Sequence, residues 1–252
     1  MQLGLVPIEL NKLVTNKLDY QIMEKGYVIY EGPSMLNGEP IVAVVTMKST
    51  NVKTGDMASM WILSADEKPT DASKSGSDSA VCGMCPHRHH LGGSCYVVLF
   101  QAPLNVYKTY KRGAYPIATD MSIFNDRLIR FGAYGDPAAL PIDILNNIKS
   151  RSKNHTSYTH QWKNADKDIL KSISMASVDS QVEALEAQKN GWRTFRVTNN
   201  IKDLLPNEIV CPNTTNNIQC ADCKLCSGAG KAKNIVIEVH GNKKSKFVEH
   251  AR

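Results

Sequence analysis

Residues 128–149 read L-I-R-F-G-A-Y-G-D-P-A-A-L-P-I-D-I-L-N-N-I-K, and this stretch decides the fold. Residues 128–134 have the apolar, β-branched and aromatic content of a strand, and Gly135-Asp136-Pro137 has turn chemistry. Residues 142–149 then carry apolar positions at helical spacing. The same step repeats downstream. Strands are expected at 156–161, 173–178, 194–197, 209–211 and 235–239, with helices at 165–171 and 180–190 and a helical turn at 201–205. In the second helix Val182, Ala184 and Leu185 form the apolar side, and Gly191 supplies the stop. Strands alternating with helices at this spacing predict βαβ units and a parallel sheet. No Gly-x-Gly-x-x-Gly accompanies them. The expected fold is therefore α/β, a full or partial (β/α) barrel of parallel strands, with flavodoxin-like winding as the other arrangement.

Upstream the pattern changes. Residues 27–31 and 41–47 are β-rich, and the Gly- and Pro-containing segment 32–38 between them predicts an N-terminal β-hairpin. Residues 57–63 read as a buried strand, and the Ser-, Asp- and Lys-rich run 64–80 as a loop. Pro103 suits the first turn of a helix over 104–112. Residues 1–24 have a weak helical spacing at Leu10, Leu13 and Leu18. The chain thus divides into an arm and hairpin (1–56), a barrel-like core (57–210) and a cysteine-rich C-terminal segment with the last strand (211–252).

At 252 residues, 42% hydrophobic and 21% charged, the composition is that of a globular protein with a sizeable core. No apolar run reaches the length of a membrane span, and the first residues lack a basic-then-apolar signal pattern. A soluble, cytoplasmic protein without a membrane partner is expected. The formal net charge of +6 at pH 7 is compatible with nucleic acid without requiring it, so a small-molecule substrate and nucleic acid are the partners to weigh. The lysines at 231, 233, 243, 244 and 246 read as a solvated face, since a nucleic-acid surface needs stacking aromatics and Phe247 alone is nearby.

Seven cysteines fall into two groups. Cys211, Cys220, Cys223 and Cys226 include a C-x-x-C-x-x-C step, enough to complete one [4Fe–4S] cluster or one tetrahedral zinc. Cys82, Cys85 and Cys95 lie in the loop V-C-G-M-C-P-H-R-H-H-L-G-G-S-C-Y, residues 81–96. An odd count and closely set C-x-x-C steps point to metal rather than disulfides. Three thiols leave one position at an iron–sulfur cluster for a histidine or a small molecule. With zinc, a histidine would close an ordinary Cys₃His site. His87, beside Pro86, is the best placed of His87, His89 and His90.

The three-cysteine loop after an early strand, ending Cys95-Tyr96, resembles that of the radical S-adenosylmethionine enzymes. That resemblance implies a cluster with an open iron for the amino acid moiety of the cofactor; the cluster read from the spacing of the four downstream cysteines would then be auxiliary. It also implies a glycine-rich contact to that moiety at the next strand end, where this chain has Gly132-Ala-Tyr-Gly135-Asp136-Pro137. The superfamily's loop is C-x₃-C-x₂-C; this one is C-x₂-C-x₉-C. Over nearly its full length the chain also resembles a family of cysteine-rich phage and bacterial proteins of unassigned function. The shared stretches include G-Y-V-I-Y-E-G-P-S (26–34), Y-T-H-Q-W (158–162) and G-W-R-T-F-R-V (191–197). That likeness implies the cytoplasm of a bacterial host.

Further groups stand at expected strand ends. Gly132, Gly135, Asp136, His160 and Asp179 are the candidate cofactor-binding residues, converging on the mouth of a barrel. Asp136 has the alternative role of setting its turn, and Asp179 or Ser180 that of capping the helix that follows. Arg196, between Phe195 and Val197, needs a buried carboxylate or a pocket anion. No acid–base pair stands out.

Overall fold

The computed structural model describes residues 25–228 and 230–250; the helix or arm expected within residues 1–24 lies outside the described residues. Among the described residues, ten strands form two five-stranded sheets. In the first, β1 (Gly26–Pro33), β2 (Pro40–Thr46) and β3 (Ala58–Ser64) form an antiparallel meander. β4 (Leu128–Tyr134) and β5 (Asn154–Thr156) then extend it in parallel. The expected hairpin is β1–β2, turning through residues 34–39 with Gly38 N–H donating to Ser34 O at 2.8 Å. In β2, Ile41 to Val45 are all fully buried, as befits a central strand covered on both faces.

The second sheet is parallel throughout. Its order is β6 (Tyr158–Thr159), β7 (Met175–Val178), β8 (Thr194–Thr198), β10 (Asn234–Glu238), β9 (Glu208–Val210). The expected mixed α/β class with parallel strands holds. The strands stand in two sheets, and no closed ring links them among the described residues. The sheets meet at Ser157, the single residue between β5 and β6, whose N–H donates to Cys226 O and whose carbonyl accepts from Met175 N. β2 pairs with β3 across residue 56, and β10 inserts between β8 and β9 from beyond residue 211.

Several local expectations are corrected or refined. Run 64–80 is not a loop throughout, because it holds helix α1 (Pro69–Ser75) and leads into α2 (Ser79–Cys82). Pro69 opens α1 and Gly76, in the left-handed region, closes it, so helix boundaries were present within a polar composition. After α3 (Ala102–Lys111), with Pro103 in its first turn, and α4 (Ile142–Arg151), α5 (Gln181–Lys189) buries Ala184 and Ala187. Val182 and Leu185 remain exposed at 76% and 53%. Methyl side chains let α5 sit close to the sheet, so the larger residues face outward. Residues 201–205 make only a turn, and 165–172 form a 3₁₀ rather than an α-helix.

Arg196 finds its carboxylate in Glu208, with Nε to Oε1 at 2.8 Å and an Nη to Oε2 at 2.6 Å. Glu208 Oε2 also accepts from Leu205 N, and the same guanidinium donates to Asp203 O. This pair is fully buried on the side of β8 opposite Phe195 and Val197.

Candidate metal centre

A cavity of about 300 Å³ lies against both sheets. It is lined by alternating strand residues: Arg130 and Gly132 of β4, Tyr158 of β6, Ser177 of β7, Phe195 and Val197 of β8, and Ile235 and Ile237 of β10. Period-two alternation puts one face of each strand on the same space. All seven cysteines reach it as well, and none forms a disulfide.

The first thiol group is held by a buried staple. Arg88 donates from Nε and an Nη to Asp78 Oδ1, at 2.8 and 2.6 Å, and from its two terminal nitrogens to Gly83 O and Gly76 O. Cys95 N–H donates to His87 O, which closes the loop. Burial pushes the Cys82 thiol well above the ordinary range, and Cys85 and Cys95 nearby push it further. Burial also raises Cys85, opposed by a hydrogen bond from the His87 N–H, and Cys95, opposed by one from the Val97 N–H.

The second group is built from β9, after which Cys211 N–H donates to Val236 O, and from α6 (Pro212–Asn216) and α7 (Cys220–Cys223). Cys220 and Ala221 donate their N–H groups to Lys53 O and Thr54 O, each at 3.0 Å, so the β2–β3 loop carries the cysteine turn. Burial pushes Cys226 up to about 12; the Tyr158 hydroxyl opposes this, and Cys211, Cys220 and Cys223 add to it.

The donor chemistry fits a metal. Crowded, desolvated thiols raise one another's pKa, a cost that a bound cation removes by taking them as thiolates. The spacing is wide, however. Among the described residues no three of the sulfurs lie within 4.8 Å of one another. Ligands about 2.3 Å from one tetrahedral zinc sit about 3.8 Å apart.

The histidines of the first loop are hydrogen-bonded elsewhere or exposed. His87 Nδ1 is 2.7 Å from Ser94 Oγ, and Nε2 is 3.2 and 3.1 Å from the two oxygens of Asp179. His90 Nε2 is 2.6 Å from Lys74 O, and His89 is exposed. Phe247 stacks on His87 at 5.8 Å and is 5% exposed, so it presents no stacking surface beside the lysines of the C-terminal segment.

The other predicted residues gather here too. Gly132 and Gly135 have φ of +66° and +82°. A Cβ on Gly132 would lie 2.6 Å from Gly135 O, and one on Gly135 2.7 Å from Ile62 Cβ, so only glycine fits this turn. Asp136 is committed to the backbone: Oδ1 accepts from Ala138 N at 3.0 Å and Oδ2 from His160 N at 2.8 Å. It therefore sets the turn and positions His160. His160 lines the cavity, and its Nε2 is buried with no hydrogen-bond partner. Burial holds the His160 imidazole below its ordinary pKa, as does the neighbouring His87. The α5 cap is Ser180, whose Oγ accepts from Glu183 N, while Glu183 Oε2 accepts from Asp179 N. The Asp179 carboxylate is thereby left to His87. Sequence reasoning missed Ser94, Arg88 and Arg130; a buried-type arginine inside a cysteine loop was the available signal for the second.

Fold and site together define a mixed α/β protein with two thiol groups and a His–His–Asp cluster around one cavity. Comparison of the chain with protein-family models, with curated proteins and with solved structures finds no match.

Proposed function

We propose that this chain is an iron–sulfur enzyme that acts on a small molecule in its cavity by chemistry like that of the radical S-adenosylmethionine enzymes. Cys82, Cys85 and Cys95 would hold a cluster with one iron free of protein ligand, and Cys211, Cys220, Cys223 and Cys226 an auxiliary one. When bound, the first supplies an electron and a vacant iron that the amino acid moiety of S-adenosylmethionine takes.

The observation that carries the reading is the convergence of all seven thiols, as three and four, on one cavity. The C-x-x-C-x-x-C step favours a cluster over a single zinc ion at the second group, and the engagement of His87 and His90 elsewhere favours a vacancy over a histidine at the first. We read the two sheets as one curved wall, an open partial barrel whose parallel strands run β3-β4-β5/β6-β7-β8-β10-β9, with Ser157 as the bend. The first thiol group follows β3, the first parallel strand, and the Gly132–Asp136 turn ends the next. Both positions are those that the resemblance implies.

The chain's own residues would do the binding. Arg130 lines the cavity, and among the described residues its guanidinium has no hydrogen bond or ion pair, so it is suited to an anionic group of the substrate. Tyr158 and Phe195, with ring centroids 4.5 Å apart, and Ile235 would exclude water around it.

Anaerobic purification with iron and sulfide quantitation tests this. About eight irons per chain and a change in the electron paramagnetic resonance spectrum of the reduced protein on adding S-adenosylmethionine are expected. A colourless zinc protein would sink the cluster reading and leave a metal-braced scaffold that binds nucleic acid or a protein. No spectral change with the cofactor would remove the open iron.

A further inference from the structure

His87, His160 and Asp179 come from three separate places: the cysteine loop, the residue after β6 and the residue after β7. One ligand atom from each lies within 4.8 Å of the other two. From this convergence and the unpartnered nitrogen of His160 we infer a mononuclear site for a divalent first-row transition metal, held by His87 Nε2, His160 Nε2 and an Asp179 oxygen.

Four features carry the inference. Two imidazoles and one carboxylate are the facial donor set that borderline divalent ions take with positions left open. His160 Nε2 is buried without a donor or acceptor, a cost that a bound cation removes. His87 Nδ1 stands 2.7 Å from Ser94 Oγ, the outer-shell bond that fixes the ring and aims the other nitrogen at a metal. The separations of 3.1 and 3.2 Å between His87 Nε2 and the Asp179 oxygens match neighbouring ligands about 2.1 Å from one ion.

His87 Nε2 and Asp179 are paired with each other, and among the described residues their surroundings make no other claim on the three ligand atoms. Asp136 holds the His160 backbone and not its ring, and Ser180 with Glu183 caps α5 in place of Asp179. His87 and His160 both line the cavity, so a metal here would present its open positions to whatever the cavity holds. This site uses none of the seven thiols and stands whether they carry iron–sulfur clusters, zinc or nothing.

Cobalt(II) is the probe, added anaerobically to protein whose thiol sites have been filled by reconstitution. One Co²⁺ per chain is expected, with ligand-field absorption and without the sulfur-to-cobalt charge-transfer band that a thiolate site would add. Replacing His160→Ala or Asp179→Asn should weaken binding at least ~100-fold, and Ser94→Ala about ten-fold. Iron and sulfide content and thermal unfolding, measured on the same variants, report whether each has folded with its thiol sites intact. Absence of cobalt binding to the unsubstituted protein would overturn the site. So would binding that survives both ligand substitutions, or binding that carries the sulfur band. Should iron and sulfide fail to load, the thiols are alkylated before cobalt is added, so that a failed iron–sulfur reading shows in the iron and sulfide content while cobalt binding is still read free of thiolate ligation.

Discussion

His155 shows how single residues tie the fold to the site. Its Nε2 lies 2.9 Å from both Ile173 O and Ser227 O, so one imidazole holds the segment after Cys226 against the run into β7. Burial holds its pKa below the usual value near 6.5, opposed by those two carbonyls and helped by Lys149. The unfolded chain then binds the proton more readily. Its contribution to stability is fully present above pH of about 6.5 and is lost as pH falls below it. Urea unfolding between pH 7.5 and 5.5 should therefore show stability falling on acidification. His155→Gln should flatten that slope by up to about 1.4 kcal/mol per pH unit. An identical slope in the variant would place the acid sensitivity elsewhere. Other single residues were legible in kind only. The position of Arg196 between two apolar neighbours demands an anion, but that Glu208 supplies it depends on where β9 lies, beyond any local pattern.

Among the elements, the first cysteine loop depends on one arginine. Arg88 and Asp78 are 9% and 5% exposed at their side chains, and the guanidinium also closes over Gly76 O and Gly83 O. Removing it strands a buried carboxylate, so Arg88→Ala should cost about 3–5 kcal/mol. If the first group holds the proposed cluster, the variant should also lose metal from Cys82, Cys85 and Cys95 first. Arg88→Lys should rescue little, because an ammonium cannot serve the carboxylate and two carbonyls in one plane. Chemical denaturation with metal analysis checks both, and a loss under about 1 kcal/mol in Arg88→Ala would show that the loop does not lean on this pair. Strands such as β4 were legible because period-two burial is a local property. Helix α1 was not, because Pro69 and Gly76 bracket residues whose polarity resembles a loop. The His87–Asp179 contact spans 92 positions and leaves no trace in spacing, whereas the two cysteine groups announce themselves by spacing alone.

At the scale of the whole molecule, the two thiol groups share a cavity but not a support. The first hangs on α2 and Arg88; the second joins the far edge of the second sheet to the β2–β3 loop of the first, through Cys220 to Lys53 and Ala221 to Thr54. Gln219 adds a hydrogen bond to Val52 O at 2.8 Å. The C-terminal segment therefore bridges the second sheet, beside its edge strand β9, to the β2–β3 loop of the first, and a metal at its four thiols would lock that bridge. Hydrogen exchange should resolve the two supports. Cys223→Ala should deprotect residues 51–55 and 212–224 together while residues 83–95 keep their protection. Cys95→Ala should do the reverse. With the proposed metal at both groups, chelation of the unsubstituted protein should open both regions, with the buried β2 and β8 exchanging last. If Cys223→Ala also freed residues 83–95, the seven thiols would form one cooperative unit around the cavity, and the division into three and four would fail.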